Sequence, residues 1–167
     1  MKTLKYLAGY SPTIKDQVQM LINSNKLSEL LMQKYPVAHQ MRSDKALYDY
    51  VMGIKAQYIK KSAPLSKIVY DDKINVLHHA LGLHSIVSRV QGSNLKAKNE
   101  IRVGSIFKKV PIEFLQMIVV HELAHLKEKQ HNKAFYKLCQ HMQPDYHQLE
   151  FDTRLYLTHI DLLGTLY

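Results

Sequence analysis

Hydrophobic residues recur at helical spacing through the first third of the chain. Residues 16–35 carry aliphatic side chains spaced for one face of a helix, with a break predicted near residues 23–25. Pro36 ends this helical segment, because a proline removes a backbone donor and clashes with the preceding turn.

Two further helices are predicted after this proline. Ser43 is a good N-cap for the first, whose apolar positions run toward Lys61. Asp71 or Asp72 opens the second, which covers residues 74–81 and ends at Gly82 as a natural C-cap.

The pattern then changes to that of strands. Residues 85–90 and 100–107 are rich in β-branched side chains and are separated by turn residues. These two segments predict an antiparallel pair. Residues 67–70 are an alternative third strand, so the predicted sheet has two or three strands.

The most apolar helix is predicted over residues 111–127. Pro111 suits its first turn, where a missing backbone donor costs nothing. Two of its faces are apolar up to His121 and His125, so this helix should be buried in the centre of the domain.

Two amphipathic segments follow the buried helix. Asn132 is predicted to cap a helix that Pro144 stops, and Asp145 is predicted to cap a last helix that ends at Gly164. The elements together predict an α+β fold with N-terminal helices, a small antiparallel sheet, one buried helix and C-terminal helices.

Composition indicates one soluble globular domain over residues 1–167, with residues 1–70 as a helical N-terminal part. The chain is 46% hydrophobic and carries a formal net charge of +9. That charge favours anionic partners such as nucleic acid or nucleotides, although the lysines are scattered as on an ordinary solvated surface. The single cysteine, Cys139, excludes an internal disulfide and a cysteine-based zinc cluster. No signal peptide or membrane span is evident, so we expect a cytoplasmic protein without membrane partners.

Candidate chemistry lies at the end of the buried helix, where residues 121–125 read His-Glu-Leu-Ala-His. Residues four apart lie on the same helix face, so His121 and His125 can both reach one Zn²⁺. Glu122 lies beside them and is the candidate general base, taking a proton from a metal-bound water.

The third metal ligand has two candidates on geometry alone. His131 follows His125 by six residues, the metzincin spacing, but Glu128 stands where a metzincin has its turn glycine. Glu150 is the rival, placed as a gluzincin would place it. Both residue types suit zinc.

Four parts of the chain resemble a known family, namely residues 101–103, Pro111, 118–126 and 131–136. These segments resemble the YgjP-like metallopeptidase domain, a relative of SprT-like proteases, with the match extending over about residues 74–150. The resemblance implies a compact zincin-like fold with one Zn²⁺ per chain on His121, His125 and His131. This chain departs from the family at Tyr136, where tryptophan is usual.

A second electrophile for the reaction intermediate is not placed by the sequence. Four side chains are candidates, namely Tyr136, Tyr146, His147 and Tyr156.

We therefore expect a zinc metallopeptidase in which Glu122-activated water hydrolyses a peptide or protein substrate. Two alternatives stay open. The first is a metal-dependent nucleotide pyrophosphohydrolase, although the chain has no P-loop and no carboxylate cluster suited to Mg²⁺. The second is a nucleic-acid-associated protease or binder, which the basic charge favours. The sequence leaves the oligomeric state open.

Overall fold

A computed structural model describes residues 3–74, 82–91 and 94–167, and within 82–98 it describes strand backbone only. Its elements in chain order are α1 (Pro12–Asn23), α2 (Lys26–Lys34), α3 (Asp44–Tyr58), β1 (Leu65–Asp71), β2 (Gly82–Gln91), β3 (Asn94–Gly104), α4 (Ile112–Ala124), α5 (Lys133–Met142) and α6 (Tyr146–Leu163). Short 3₁₀ segments lie at Lys5–Leu7 and Ser105–Lys109. The fold is therefore α+β, as predicted.

The first two helices confirm the helical segment and its break. Helix α1 begins at Pro12, earlier than the predicted residue 16, because the Ser11 side chain accepts a hydrogen bond from the Ile14 amide and caps the helix. Asn25 adopts a left-handed φ of 57°, which separates α1 from α2. Ser43 caps α3 as predicted.

The sheet has three strands in the order β1-β3-β2. Strand β2 pairs with β3 in antiparallel fashion, whereas β1 runs parallel to β3, with Ile68 opposite Ile101. The predicted antiparallel pairing of residues 85–90 with the segment that begins at residue 100 is therefore confirmed. The prediction that the whole sheet is antiparallel is wrong, because β1 runs parallel to β3. Because β3 occupies the centre, β1 and β2 form the opposite edges of the sheet.

Other predictions for this region have mixed outcomes. Strand β1 begins at Leu65, inside the part predicted to be helical, and it contains the alternative strand at 67–70. The helix predicted over 74–81 lies outside the described residues from position 75 onward. Gly82 begins β2, so it does not end a helix.

Helix α4 lies at the centre of the molecule. From Phe114 to Ala124 every side chain except that of Gln116 is buried. It contacts helices α5 and α6, strands β2 and β3, and the 3₁₀ segment at Ser105–Lys109. The predicted central position is thus confirmed, since a helix that is apolar on nearly all sides has to be enclosed. Within the described ranges, no helix is both long and apolar enough to cross a membrane.

A buried carboxylate ties α6 to the N-terminal helices. Asp152 accepts hydrogen bonds from the Tyr35 hydroxyl, from Lys34 Nζ at 2.7 Å and from Gln148 Nε2 at 2.9 Å. Its side chain is only 4% exposed, so these three donors replace the water that the carboxylate would otherwise bind. The network holds α6 in place beside α4.

His39 fastens the segment between α2 and α3 to the start of α4. Its backbone amide donates to the Val110 carbonyl at 2.9 Å, and its ring Nε2 donates to the Phe107 carbonyl at 2.7 Å. Ring Nδ1 accepts a hydrogen bond from the Met41 amide at 3.0 Å. This pattern requires a neutral ring protonated on Nε2, and burial lowers the His39 pKa accordingly.

We expect His39 to make folding stability depend on pH. In the unfolded chain the ring takes up a proton as the pH falls through about 6.5, whereas the folded ring resists protonation. The unfolded state then binds more protons, so the His39 contribution to stability is lost as the pH falls. The variant His39→Asn should be less stable than wild type by about 1 kcal/mol at neutral pH, with the difference shrinking toward about pH 5. Urea unfolding at both pH values measures this, and a constant difference would contradict it.

Candidate metal centre

Three imidazole nitrogens converge where α4 ends. Nε2 of His121 lies 3.2 Å from Nε2 of both His125 and His131, and the last two are 3.1 Å apart. In the part of the chain that the structure describes, these residues are the group of three or more potential ligands that could hold a metal ion. His121 is buried, His125 is half-buried and His131 is exposed, so the cluster opens to solvent on one side.

The end of α4 and the turn after it position these rings. His121 lies in the last turn of α4, and His125 is the C-cap residue. The chain then turns so that the Glu128 amide donates to the Ala124 carbonyl at 3.0 Å. Asn132 caps α5 through the Phe135 amide at 2.9 Å, which fixes His131 immediately before it.

Glu128 explains how this turn forms without the glycine of a metzincin. Among the described residues other than glycine, Asn25 alone has a positive φ, so position 128 does not need the left-handed backbone that favours glycine. The Glu128 carboxylate instead accepts a hydrogen bond from Asn132 Nδ2 at 3.2 Å. This bond joins Glu128, inside the turn, to Asn132 at the start of α5.

The second nitrogen of two of the rings is held by a partner. Nδ1 of His121 is hydrogen-bonded to the Tyr146 hydroxyl at 2.8 Å, and Nδ1 of His125 donates to the Glu128 carbonyl at 2.9 Å. When Nδ1–H is the donor in both bonds, as the Glu128 carbonyl requires for His125, Nε2 of each neutral ring carries the lone pair that faces the centre of the cluster. Phe135 packs against all three rings, with centroid distances of 5.0, 4.6 and 4.9 Å, and restricts their rotation.

The electrostatics of the cluster favour neutral imidazoles. Burial, followed by the neighbouring His125 and His131, lowers the pKa of His121 to about 3. Burial likewise lowers the pKa of His125. Neutral rings are the form that binds metal. Zinc–nitrogen bonds of about 2.0–2.1 Å in a tetrahedron place their nitrogens about 3.3 Å apart, so the observed spacing fits a bound Zn²⁺.

Glu122 is buried beside this cluster and is 2% exposed. Burial raises its pKa to about 8, and its Oε2 has no hydrogen-bond partner within the described chain. A buried carboxyl oxygen without a partner is costly, so it is notable next to three converging imidazoles. It is suited to bind a water or a proton there.

Glu150, the rival third ligand, does not join the three histidines. Its carboxylate pairs with Arg154 at 3.3 Å, one turn along α6, and it is not part of the three-histidine group. The turn after α4 therefore brings His131 to His121 and His125.

The candidates for a second electrophile separate into two groups. Tyr146 is fully buried against His121, and Tyr156 is buried against Phe114 at a centroid distance of 5.5 Å. Tyr136 and His147 lie at the rim of the cluster, where Tyr136 is half-buried and His147 is exposed. The sequence does not predict the hydrogen bond between Tyr146 and His121, because no local pattern links α6 to α4.

The chain matches a family model described as YgjP-like, metallopeptidase domain, over residues 22–153. It is also 56% identical over 162 residues to a UTP pyrophosphatase of Escherichia coli (strain K12), an alignment that covers 97% of each chain. No solved structure matches the chain significantly. The family match begins well before residue 74, so α2 and α3 lie within the matched region, whereas most of α1 precedes it.

We expect the Tyr146 hydroxyl to tune metal affinity. The variant Tyr146→Phe removes the partner of His121 Nδ1 but keeps the ring, and loss of such a partner costs about 10–100-fold in metal affinity. Tyr156→Phe is the matched control, because it removes a hydroxyl from the same helix away from the cluster. Competition against a chromophoric zinc chelator measures both variants, and equal affinities would contradict a role for Tyr146.

Proposed function

The chain belongs to the YgjP-like metallopeptidase family, and we propose that it is a zinc-dependent pyrophosphohydrolase of nucleoside triphosphates. The family description points to a metal-dependent hydrolase, and the name of the relative points to a hydrolase of a nucleotide. The observation that carries the finer proposal is the 56% identity, over 97% of both chains, to a UTP pyrophosphatase. The expected peptide substrate rests on the family description alone.

The proposed reaction is attack of water on the α-phosphorus of the nucleotide. The bond from that phosphorus to the bridging oxygen breaks, giving a nucleoside monophosphate, pyrophosphate and one proton. A bound zinc ion supplies an activated water and polarises a phosphoryl oxygen. The chain would hold this ion through Nε2 of His121, His125 and His131.

Glu122 is proposed to take the proton from the attacking water. Its buried Oε2 has no other hydrogen-bond partner among the described residues, so it is available for this contact. Burial raises the Glu122 pKa to about 8, and a cation held by the adjacent histidines would lower it again. A carboxyl whose pKa is raised by burial and lowered by a nearby cation can accept a proton and later pass it to the leaving group.

The charge of the protein supports an anionic substrate. The formal net charge is +9, and Lys127, Lys129 and Lys133 are exposed along the turn that carries His131. Positive charge around a site raises the local concentration of a triphosphate and the rate at which it arrives. A peptide gains no such general advantage.

The experiment that tests the proposal compares substrates for the zinc-loaded protein. We expect UTP to give UMP and pyrophosphate, with ¹⁸O from labelled water appearing in UMP because the α-phosphorus is attacked. Label in pyrophosphate would place the attack on the β-phosphorus. Cleavage of a peptide library without nucleotide hydrolysis would overturn the proposal in favour of a metallopeptidase.

We expect Glu122→Gln to keep zinc and to lose activity by about 10²–10⁴-fold, because an amide cannot take the proton. The change keeps the size of the side chain and removes its charge. Elemental analysis and pyrophosphate release measure the two properties separately. A fully active Glu122→Gln protein would exclude the assigned role.

The ligand assignment is tested by a matched pair of variants. His131→Ala should lose most of its zinc, because two imidazoles hold the ion far more weakly than three. Glu150→Gln should keep one zinc per chain, since the Glu150 carboxylate is paired with Arg154. If His131→Ala kept its zinc and Glu150→Gln lost it, Glu150 would be the third metal ligand.

A further inference from the structure

Two aromatic rings form a rim beside the three-histidine cluster. The ring centroids of Tyr136 and His147 lie 5.2 Å apart at an interplanar angle of 36°. Tyr136 in turn lies 6.4 Å from the ring of His131, the exposed member of the cluster. The pair, which we term the aromatic rim, therefore continues the open side of the site outward along α5 and α6.

The aromatic rim lies outside the side chains that hold the imidazoles directly, with Tyr136 against Phe135 at 5.2 Å and His147 against Tyr146 at 5.6 Å. Phe135 packs on the three imidazoles, and the Tyr146 hydroxyl bonds to His121. By contrast, neither the Tyr136 hydroxyl nor the His147 ring makes a hydrogen bond to any part of the described chain. Because Tyr136 is half-buried and His147 is exposed, part of the aromatic surface of the rim faces solvent next to the proposed reaction centre.

Building on the proposed function, we infer that the aromatic rim binds the nucleobase of the triphosphate by stacking. A substrate whose phosphates lie at the cluster would extend its ribose and base outward. The rim is an aromatic surface next to His131 that solvent reaches, whereas Phe135 is fully buried. Every base has a π-face, and stacking on tyrosine or histidine is a general mode of base binding. The rim would therefore bind nucleotides in preference to phosphate chains that lack a base.

This role is distinct from that of a second electrophile. An electrophile acts through the Tyr136 hydroxyl on the reacting phosphate, so its loss would lower kcat. A stacking ring acts on the base, so its loss would raise KM and leave the handling of a base-free phosphate chain unchanged. The two roles therefore give different kinetic signatures.

The test uses the zinc-loaded full chain with UTP as substrate and inorganic tripolyphosphate as a competitive inhibitor. For Tyr136→Leu we expect KM for UTP to rise about tenfold while Ki for tripolyphosphate stays at the wild-type value. The KM of Tyr136→Phe should lie between those of wild type and Tyr136→Leu. His147→Ala changes an exposed side chain, so it should fold normally, and it should raise KM in the same direction.

The matched control is His141→Ala. His141 also lies on α5, is exposed and forms a tyrosine–histidine pair with Tyr58 at a centroid distance of 5.4 Å. Its loss should leave both constants unchanged.

The outcomes separate the inference from the proposal on which it rests. Wild-type protein that holds zinc but hydrolyses no nucleotide would overturn both. Wild-type activity with an unchanged KM in both Tyr136→Leu and His147→Ala would overturn the base-binding role alone. A fall of kcat in both Tyr136→Phe and Tyr136→Leu without a change in KM would make the hydroxyl an electrophile and would also overturn it.

Discussion

The burial of α4 on nearly every side is the constraint on which the rest of the structure depends. A helix enclosed in this way cannot rotate without exposing apolar surface, so the directions of His121 and His125 are fixed by the core. The neighbouring elements are arranged around this requirement. Asp152 holds α6 against the N-terminal helices, and His39 holds the entry to α4.

The same burial gives the cluster its chemistry. Burial lowers the pKa of His121 and of His125, and the Nε2 atoms of the three imidazoles lie 3.1–3.2 Å apart. Three converging lone pairs repel each other unless a cation lies between them, which is why the arrangement favours a metal. Glu122 lies in the same enclosed region, where its charge depends on that cation. Because a cation of this kind polarises carbonyl and phosphoryl oxygens alike, the surface around the cluster has to select the substrate.

Local sequence predicted much of the helical framework and two positions of the site. Helical periodicity and capping residues act over a few residues, so α4 and the caps at Ser43 and Asn132 could be predicted. The pairing of His121 with His125 follows from the helical repeat for the same reason. Helix geometry alone leaves His131 and Glu150 as alternatives for the third ligand. The position of each side chain depends on the path of the chain after α4.

What the sequence by itself determined was therefore the identity of the buried helix, the two histidines on its face and the carboxylate beside them. Tertiary structure alone decided the parallel direction of β1, the partnership of Tyr146 with His121 and the position of the aromatic rim. Each of these joins segments that are far apart along the chain. No periodicity or capping signal encodes such contacts, because they exist only once the whole core has packed.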